Sequence, residues 1–140
     1  MPLSSIARRK VVTAPPDASL DTIARLMEKH NVGSVVITEG SKPVGIVTDR
    51  DLVVRAVVKG RSAKDTHARD IMTRNPKVFR ERDGICEALA EARKAGVRRL
   101  PIVDDEGNLT GIVSIDDLVF LIGKELGDIA EILRKEGPRL

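Results

Sequence analysis

The sequence predicts an α/β fold, of the α+β kind, in which two β-α-β-β-α repeats pack as a pseudo-two-fold pair with their sheets facing each other. Two observations carry this prediction. The 140-residue chain contains an internal duplication, and each copy alternates runs of β-branched residues with stripes of helical period. One repeat of about 60 residues is marginal alone, whereas two repeats packed sheet against sheet bury more surface.

The duplication is visible in the residues themselves. The segment Gly-Ile-Val-Thr-Asp-Arg-Asp-Leu-Val (45–53) recurs as Gly-Ile-Val-Ser-Ile-Asp-Asp-Leu-Val (111–119), 66 residues later. Upstream the spacing is 65, so that Ile6 corresponds to Ile71. The difference of one residue falls on 39–43 and 104–108, which are rich in turn-forming residues. A length change at a hairpin tip costs little free energy.

The first repeat opens with a short strand at 11–13, which Pro15 and Pro16 end. Asp17 and Ser19 offer caps for a helix whose apolar residues recur at i, i+3, i+4 and i+7. Two β-branched runs then predict a hairpin, and a second helix follows it. The helical stripe is Leu20, Ile23, Ala24 and Met27, the hairpin strands are 35–37 and 44–47, and the second helix is 49–59.

The second repeat carries the same order of elements. Its first helix has an apolar stripe of the same spacing, and Gly96 ends that helix. Its hairpin strands are 100–103 and 109–113. The last helix begins at Ile115, includes Ile122 and can continue to Leu133. The stripe of the first helix is Ile85, Ala88, Leu89 and Ala92.

These patterns divide the chain into four parts. The first domain is 6–59, a polar linker is 60–69, the second domain is 70–123, and a helical extension is 124–140. The extension continues a helical apolar stripe beyond what a minimal second helix needs. It either packs on its own domain or forms a surface for a dimer or another partner, and we favour the second reading. The stripe is Val119, Ile122, Leu126, Ile129 and Leu133.

Several segments together resemble a tandem pair of CBS domains, the domain named for cystathionine beta-synthase. They are Val-Val-Thr-Ala-Pro-Pro-Asp-Ala-Ser-Leu (11–20), Asp-Ile-Met-Thr-Arg-Asn-Pro (70–76), Val-Arg-Arg-Leu-Pro-Ile-Val-Asp (97–104) and the two Gly-Ile-Val-(Thr/Ser)-x-x-Asp-Leu segments. The resemblance covers the chain from about Ile6 to Gly123. Small stand-alone CBS-pair proteins of bacteria and archaea, including stress and hypoxic-response proteins, are the most similar in layout.

The resemblance implies a regulatory module that performs no chemistry and requires no cofactor. Such pairs commonly bind an adenosine-containing ligand, AMP, ADP, ATP or S-adenosylmethionine, in two clefts between the halves. They often form a homodimer shaped as a flat disc and act on a protein partner, which is unknown for this chain. The alternative is an interaction or scaffold protein whose clefts are empty or bind S-adenosylmethionine or nucleic acid.

Two short motifs, Thr48-x-x-Asp51 and Ser114-x-x-Asp117, lie where a strand turns into a helix. A hydroxyl at the N-cap with an acid three residues later caps the helix, and capping alone explains them. The same carboxylate can also accept both hydroxyls of a ribose, because an ionised Asp is acceptor-only and a diol supplies two donors. The hydroxyl and the helix N-terminus can hold a phosphate oxygen.

The Asp117 cleft is expected to bind the tighter, phosphorylated ligand. Arg99 precedes a strand and presents a planar fork to phosphate, although a solvated strand entrance is the plainer reading of that arginine. The first repeat has Gly33 and Ser34 where the second has Arg98 and Arg99, so the two clefts differ chemically. The residues expected in this cleft are Ala18, Val32, Gly33, Ser34, Arg99, Ile112, Ser114 and Asp117.

The Asp51 cleft is expected to be weaker or empty, because it lacks a matching arginine from the first repeat. Arg98 can compensate for that absence, and Arg50 either reaches a phosphate or pairs with an acid across a dimer. The residues expected in this cleft are Ile46, Thr48, Asp51, Asp83 and Arg98.

Composition excludes several classes of function. With two aromatic residues, Phe79 and Phe120, the chain cannot build a base-stacking platform, and a net charge of +3 gives weak support for nucleic-acid binding. No nucleophile–base pair, metal-ligand spacing or Gly-rich phosphate loop predicts catalysis or a metal site. The single cysteine, Cys86, fits a reducing compartment, and no apolar run spans a membrane, so we expect a cytoplasmic protein.

Overall fold

The computed structural model describes residues 1–137, so the last three residues of the predicted extension, 138–140, lie outside the described residues. A short 3-10 turn, Leu3–Ser5, precedes the first strand. The elements follow in the order β1 (Thr13–Ala14), α1 (Leu20–His30), β2 (Ser34–Glu39), β3 (Lys42–Thr48), α2 (Asp49–Asp51), α3 (Ala68–Ile71), β4 (Thr73–Arg74), β5 (Phe79–Arg80), α4 (Ile85–Ala95), β6 (Arg99–Val103), β7 (Leu109–Ser114) and α5 (Ile115–Glu136).

The strands form two small sheets, which confirms the predicted α/β class with two repeats. The first sheet has the order β1-β2-β3-β4 and the second the order β5-β6-β7. In each sheet a parallel pair joins an antiparallel hairpin, with Ala14 opposite Ile37 in the first sheet and Arg80 opposite Val103 in the second. The hairpins β2-β3 and β6-β7 each contain one register irregularity close to the turn, where the two copies differ in length.

The segments that precede each β-α-β-β-α unit are exchanged between the repeats. Strand β4 pairs with β3 of the first repeat, placing Thr73 opposite Ile46. Arg8, 65 residues earlier, forms the corresponding bridge with Ile112 of the second repeat. The backbone bonds repeat the exchange, because Ala68 N donates to Ala18 O at 2.8 Å and Leu3 N donates to Asp83 O at 2.9 Å. Each unit therefore depends on a segment from the other repeat's part of the sequence.

Each sheet has its own apolar core, and the exchanged segments complete both cores. Ile71 and Met72 are buried with the first unit, whereas Leu3 is fully buried with Phe79 and Leu100 in the second. Val35 and Ile37 of β2 belong to the first core, and Val36 between them points to the opposite face of the sheet. Val36 is also fully buried, so β2 is covered on both faces. The hairpin tips meet as well, since Leu109 N donates to Ser41 O at 2.8 Å.

The helices agree with their predicted positions, with one exception. Ser19 caps α1 by accepting a hydrogen bond from Thr22 N at 3.2 Å, and Gly96 ends α4 with a positive φ of 67°. The continuous helix predicted over 49–59 is wrong in its geometry. It is α-helical only over Asp49–Asp51 and continues as a wider π-helical turn over Leu52–Val57. This stretch is rich in valine, which loses side-chain freedom in an α-helix.

Candidate functional site

A cavity of about 330 Å³ lies between the two repeats and coincides with the predicted Asp51 cleft. The first repeat supplies the end of β3 and the start of α2, and the exchanged strand β4 adds Thr73. The second repeat supplies the loop from α4 into β6. The volume is in the range of small-molecule pockets. The lining residues are Ile46, Thr48, Asp49, Arg50, Asp51, Thr73, Gly96, Val97, Arg98 and Arg99.

The turn from β3 into α2 fixes the Asp51 carboxylate at the cavity wall. Asp51 Oδ2 accepts a hydrogen bond from Thr48 N at 2.9 Å, and Thr48 Oγ1 accepts one from Asp51 N at 3.1 Å, which is a reciprocal capping box. Arg55 Nε lies 3.4 Å from Asp51 Oδ1. These contacts use two of the roughly four acceptor positions of a carboxylate, so the group can still receive donors from a ligand.

Arg55 supports this carboxylate from the helix side. Its Nη1 donates to Ile71 O at 2.9 Å and to Thr73 Oγ1 at 3.2 Å, which ties the exchanged segment to the cavity wall. The Asp51 side chain is 14% exposed. The carboxylate is thus held in one position before any ligand arrives, which limits the ordering cost of binding.

Three arginines, Arg50, Arg98 and Arg99, line the cavity together with two aspartates, Asp49 and Asp51. Arg98 Nη2 pairs with Asp116 Oδ1 at 2.7 Å. Within residues 1–137, Arg50 and Arg99 form no ion pair, so their guanidinium groups are available to an anion. Arg99 also reaches the first repeat, because its Nη2 lies 3.0 Å from where a Cβ on Gly33 would stand.

The Asp117 cleft is built differently from the Asp51 cleft. Arg8 occupies the position that Thr73 holds in the first repeat, and its Nη2 donates to Asp117 Oδ1 at 2.6 Å. Ser114 Oγ accepts a hydrogen bond from Asp116 N, the second amide of α5, at 3.2 Å. Thr48 Oγ1 instead accepts from Asp51 N, the third amide of α2. In the part of the chain that is described, the second repeat therefore lacks the reciprocal box, and Asp117 is engaged by an arginine.

The structure brings together most of the residues expected in the Asp51 cleft. Ile46, Thr48, Asp51 and Arg98 line one cavity. Asp83 does not line it, because its carboxylate accepts from Arg80 N at 2.8 Å and faces a separate depression beside α4. The cavity also receives Arg99, which the sequence assigned to the Asp117 cleft.

The residues expected in the Asp117 cleft come from both repeats. Ile112, Ser114 and Asp117 lie at the end of β7 and the start of α5. Gly33 O accepts from Asp49 N at 3.0 Å, which places the loop of Val32, Gly33 and Ser34 next to the start of α2. Ala18 is partly buried against the first core.

Sequence reasoning missed the contributions of Thr73 and Arg8, although a signal for them existed. The spacing of 65 that relates Ile6 to Ile71 also relates Arg8 to Thr73. Because β3 and β7 are equivalent, these two residues stand at equivalent edges of the two clefts. Gly96 and Val97 were missed as well, and they directly precede the predicted arginines.

Neither a metal-binding cluster nor a membrane-spanning helix is found in the described residues. Over 1–137, no three His, Cys, Asp or Glu side chains are grouped so that they could hold a metal ion. None of the helices described there combines the length and the apolar character needed to cross a membrane.

Comparison with known proteins assigns the two halves of the chain to one family. The CBS domain family matches residues 3–57 and 68–124, which is most of the chain. An uncharacterized protein of Methanopyrus kandleri is 39% identical over 134 residues, covering 95% of this chain and 68% of that protein.

Solved structures of CBS proteins are similar over nearly the whole chain. A CBS domain protein of Pyrobaculum aerophilum in complex with AMP has a TM-score of 0.79 and 29% identity, covering 91% of this chain and 99% of that one. The CBS domain pair of protein MJ0100, in complex with 5′-methylthioadenosine and S-adenosyl-L-methionine, has a TM-score of 0.80 and 27% identity, covering 89% and 98%.

Proposed function

Because the chain belongs to the CBS domain family and carries the domain twice, we propose that it is a regulatory module that binds an adenosine-containing nucleotide and catalyses no reaction. The proposed ligand is AMP, ADP or ATP, and the proposed site is the Asp51 cleft. The observation that carries the proposal is the fixed Asp51 carboxylate in a cavity that also holds two arginines, Arg50 and Arg99, with no ion pair to any residue of 1–137. A location in the cytoplasm, where adenine nucleotides are abundant, is part of the proposal.

Asp51 is proposed to bind the ribose. Its carboxylate retains acceptor positions, and the 2′ and 3′ hydroxyls of a ribose supply two donors on adjacent carbons. A hydrogen bond to a charged acceptor is stronger than one between neutral groups, and the low exposure of the side chain reduces competition from water.

Arg50 and Arg99 are proposed to bind the phosphate. Both line the cavity without an ion pair in residues 1–137, and a guanidinium fork matches two phosphate oxygens. The base is proposed to lie against Ile46 and the backbone of Gly96 and Val97, which is a mode that needs no aromatic ring. The phosphate contact favours a nucleotide over S-adenosylmethionine, which carries no phosphate.

The known relatives support the adenosine part of the proposal. One solved neighbour contains AMP, and another contains 5′-methylthioadenosine and S-adenosyl-L-methionine. The group shared by these three ligands is adenine joined to a ribose with free 2′ and 3′ hydroxyls. An aspartate at the end of a strand is suited to recognise that diol.

We also propose that the protein is a homodimer that pairs through α5. Seven apolar side chains of this helix are between 49% and 80% exposed. Five of them, Val119, Ile122, Leu126, Ile129 and Leu133, alternate spacings of three and four, the a/d pattern of a helix that pairs with another helix. Gly123 and Ala130 flank this stripe seven residues apart and let a second helix approach closely. A second copy supplies a stripe of identical pattern.

A scaffold whose clefts are empty is the alternative function. The observation that favours it is the capping box itself, because Thr48 and Asp51 satisfy backbone groups of the helix without any ligand. Under this alternative the exposed face of α5 is the functional surface, and the arginines of the cleft are solvated side chains.

Titration calorimetry separates the two functions. The wild-type protein, an Asp51→Asn variant and an Asp117→Asn variant are each titrated with AMP, ADP, ATP and S-adenosylmethionine. Asn can still accept the bond from Thr48 N, so Asp51→Asn preserves much of the cap. We expect Asp51→Asn to weaken nucleotide binding about tenfold or more, because a charged acceptor of the ribose is lost. Asp117→Asn is the matched control and is expected to leave nucleotide binding in the Asp51 cleft unchanged. Absence of heat with all four ligands in the wild type would favour the scaffold.

A further inference from the structure

Asp51 and Asp117, the equivalent carboxylates of the two clefts, have different hydrogen-bond partners. Asp51 Oδ2 accepts from Thr48 N, Arg55 Nε lies 3.4 Å from its Oδ1 on the helix side, and the residue lines a cavity together with the short side chain of Thr73. Asp117 has no such box in the described residues, and its Oδ1 accepts from Arg8 Nη2 at 2.6 Å. Arg8 and Thr73 hold equivalent positions, because they bridge the equivalent residues Ile112 and Ile46.

The position of Arg8 is set by its backbone. Arg8 N donates to Ile112 O at 2.9 Å, and Ile112 N donates to Arg8 O at 3.0 Å. Leu3, which is fully buried, anchors the same segment in the second core. The guanidinium is therefore delivered to Asp117 by a segment that the fold needs, and it takes an acceptor atom that a ribose would use.

From this contact we infer that Arg8 is a specificity-determining residue that competes with ribose for Asp117, so that the two clefts bind unequally and the Asp51 cleft fills first. The inference rests on the proposed function and reverses the order of affinity that the sequence alone predicts. A ribose that uses Asp117 Oδ1 has to compete with Arg8 for that atom. The pair is exposed on both sides, with side-chain exposures of 65% and 38%, so the arginine acts as a penalty on binding and not as an absolute block.

The test is an NMR titration with adenosine, in which the backbone amides of Thr48 and Ser114 report the two clefts separately. Adenosine is chosen because it carries no phosphate that would compete for Arg8. In the wild type we expect Thr48 to reach half-saturation at a lower adenosine concentration than Ser114. An Arg8→Thr variant places at this position the residue that the first repeat has. It is expected to lower the half-saturation concentration at Ser114 about fivefold, the factor that corresponds to the upper end of the free energy of an exposed ion pair. Thr48 is unchanged in this variant.

Two further variants complete the test. Thr73→Arg places an arginine at the equivalent edge of the Asp51 cleft and is expected to raise the half-saturation concentration at Thr48. Arg9→Thr is the matched control, because the neighbouring Arg9 pairs with Glu81 at 2.6 Å and faces neither carboxylate of the clefts. It leaves both reporters unchanged.

The outcomes distinguish failure of the inference from failure of the proposed function. Equal half-saturation of the two reporters in the wild type, or an Arg8→Thr variant identical to wild type, would overturn the inference while the proposed function stands. No response of either amide to adenosine, with none to AMP in the same proteins, would refute the proposed function and the inference together.

Discussion

The carboxylate of Asp51 serves the helix and the cleft with one geometry. Its bond to Thr48 N completes the cap of a helix N-terminus, and the residue also lines the cavity with acceptor positions to spare. The sequence already allowed capping and ligand binding together, and the structure shows the capping bonds. The cap holds the carboxylate in place, which lowers the ordering cost of recognising a ribose.

The capping box predicts a stability effect that is independent of any ligand. Thr48→Ala removes the acceptor of Asp51 N and is expected to cost about 1 kcal/mol of unfolding free energy. Thr48→Ser keeps the hydroxyl and is the matched control. Urea unfolding followed by far-UV circular dichroism measures both variants without nucleotide. Equal stability of the Ala and Ser variants would show that the hydroxyl does not contribute as a cap.

At the scale of elements, the exchanged segments link the two repeats. Leu3 lies in the core of the second unit, although it precedes the first unit in the sequence. Ala68 and Ile71 lie in the core of the first unit in the same way. Neither unit then buries its full core without residues from the other part of the chain, so we expect the pair to unfold as one cooperative unit.

Truncation of Leu3 tests the exchange. Leu3→Ala removes a fully buried side chain and is expected to cost about 2–5 kcal/mol, the range for large-to-small core substitutions. The loss should appear in both units, because their cores are joined through the exchanged segments. Urea unfolding combined with amide hydrogen exchange measures it. A cost below about 1 kcal/mol, or loss of protection confined to residues 1–8, would contradict this packing.

The N-terminal segment should also respond to acid. The hydrogen bond from Arg9, followed by one from Thr110, lowers the pKa of Glu81 below its ordinary value. A lowered pKa in the folded state contributes stability above the ordinary value, and this contribution is lost as pH falls through the folded pKa. We expect the amides of the segment to lose protection as pH falls below about 4, and less so in Arg9→Thr. The same acid response in both proteins would exclude Glu81 as its source.

The sequence predicted most of the elements but only part of the site. Periodicity and turn residues located α1, α4 and both hairpins, because these features follow from local burial. The two motifs at the ends of β3 and β7 were located in the same way. The exchange of Leu3 and the pairing of Arg8 with Asp117 depend on which segment reaches which sheet edge. These contacts depend on how the whole chain packs, and they leave no periodic pattern in the local sequence.

At the scale of the whole molecule, the exposed face of α5 predicts association. Leu126→Glu places a charge in the apolar stripe and is expected to convert the dimer to a monomer, because an unpaired charge in a helix interface is costly to bury. Lys124→Glu introduces the same residue outside the stripe and leaves the dimer intact. Sedimentation equilibrium gives the mass of each variant. A monomeric wild type, or equal masses for both variants, would contradict pairing through α5.

Two clefts of unequal affinity, as inferred above, would offer a simple means of regulation. A ligand in the Asp51 cleft would contact the first repeat and the loop before β6 and would thereby join the two halves of the molecule. It can shift any equilibrium between packings of those halves only by its difference in affinity for them. The proposed dimer contact through α5 would sense that shift.

A crystal structure of the protein grown with AMP tests nucleotide binding in the Asp51 cleft most directly. We expect density for one AMP in that cleft, with both ribose hydroxyls within hydrogen-bond distance of the Asp51 carboxylate and the phosphate at Arg50 or Arg99. Asp117 should remain paired with Arg8 at the lowest AMP concentration that fills the first cleft. An empty Asp51 cleft at saturating AMP, or AMP bound elsewhere with Asp51 uncontacted, would contradict the proposed function.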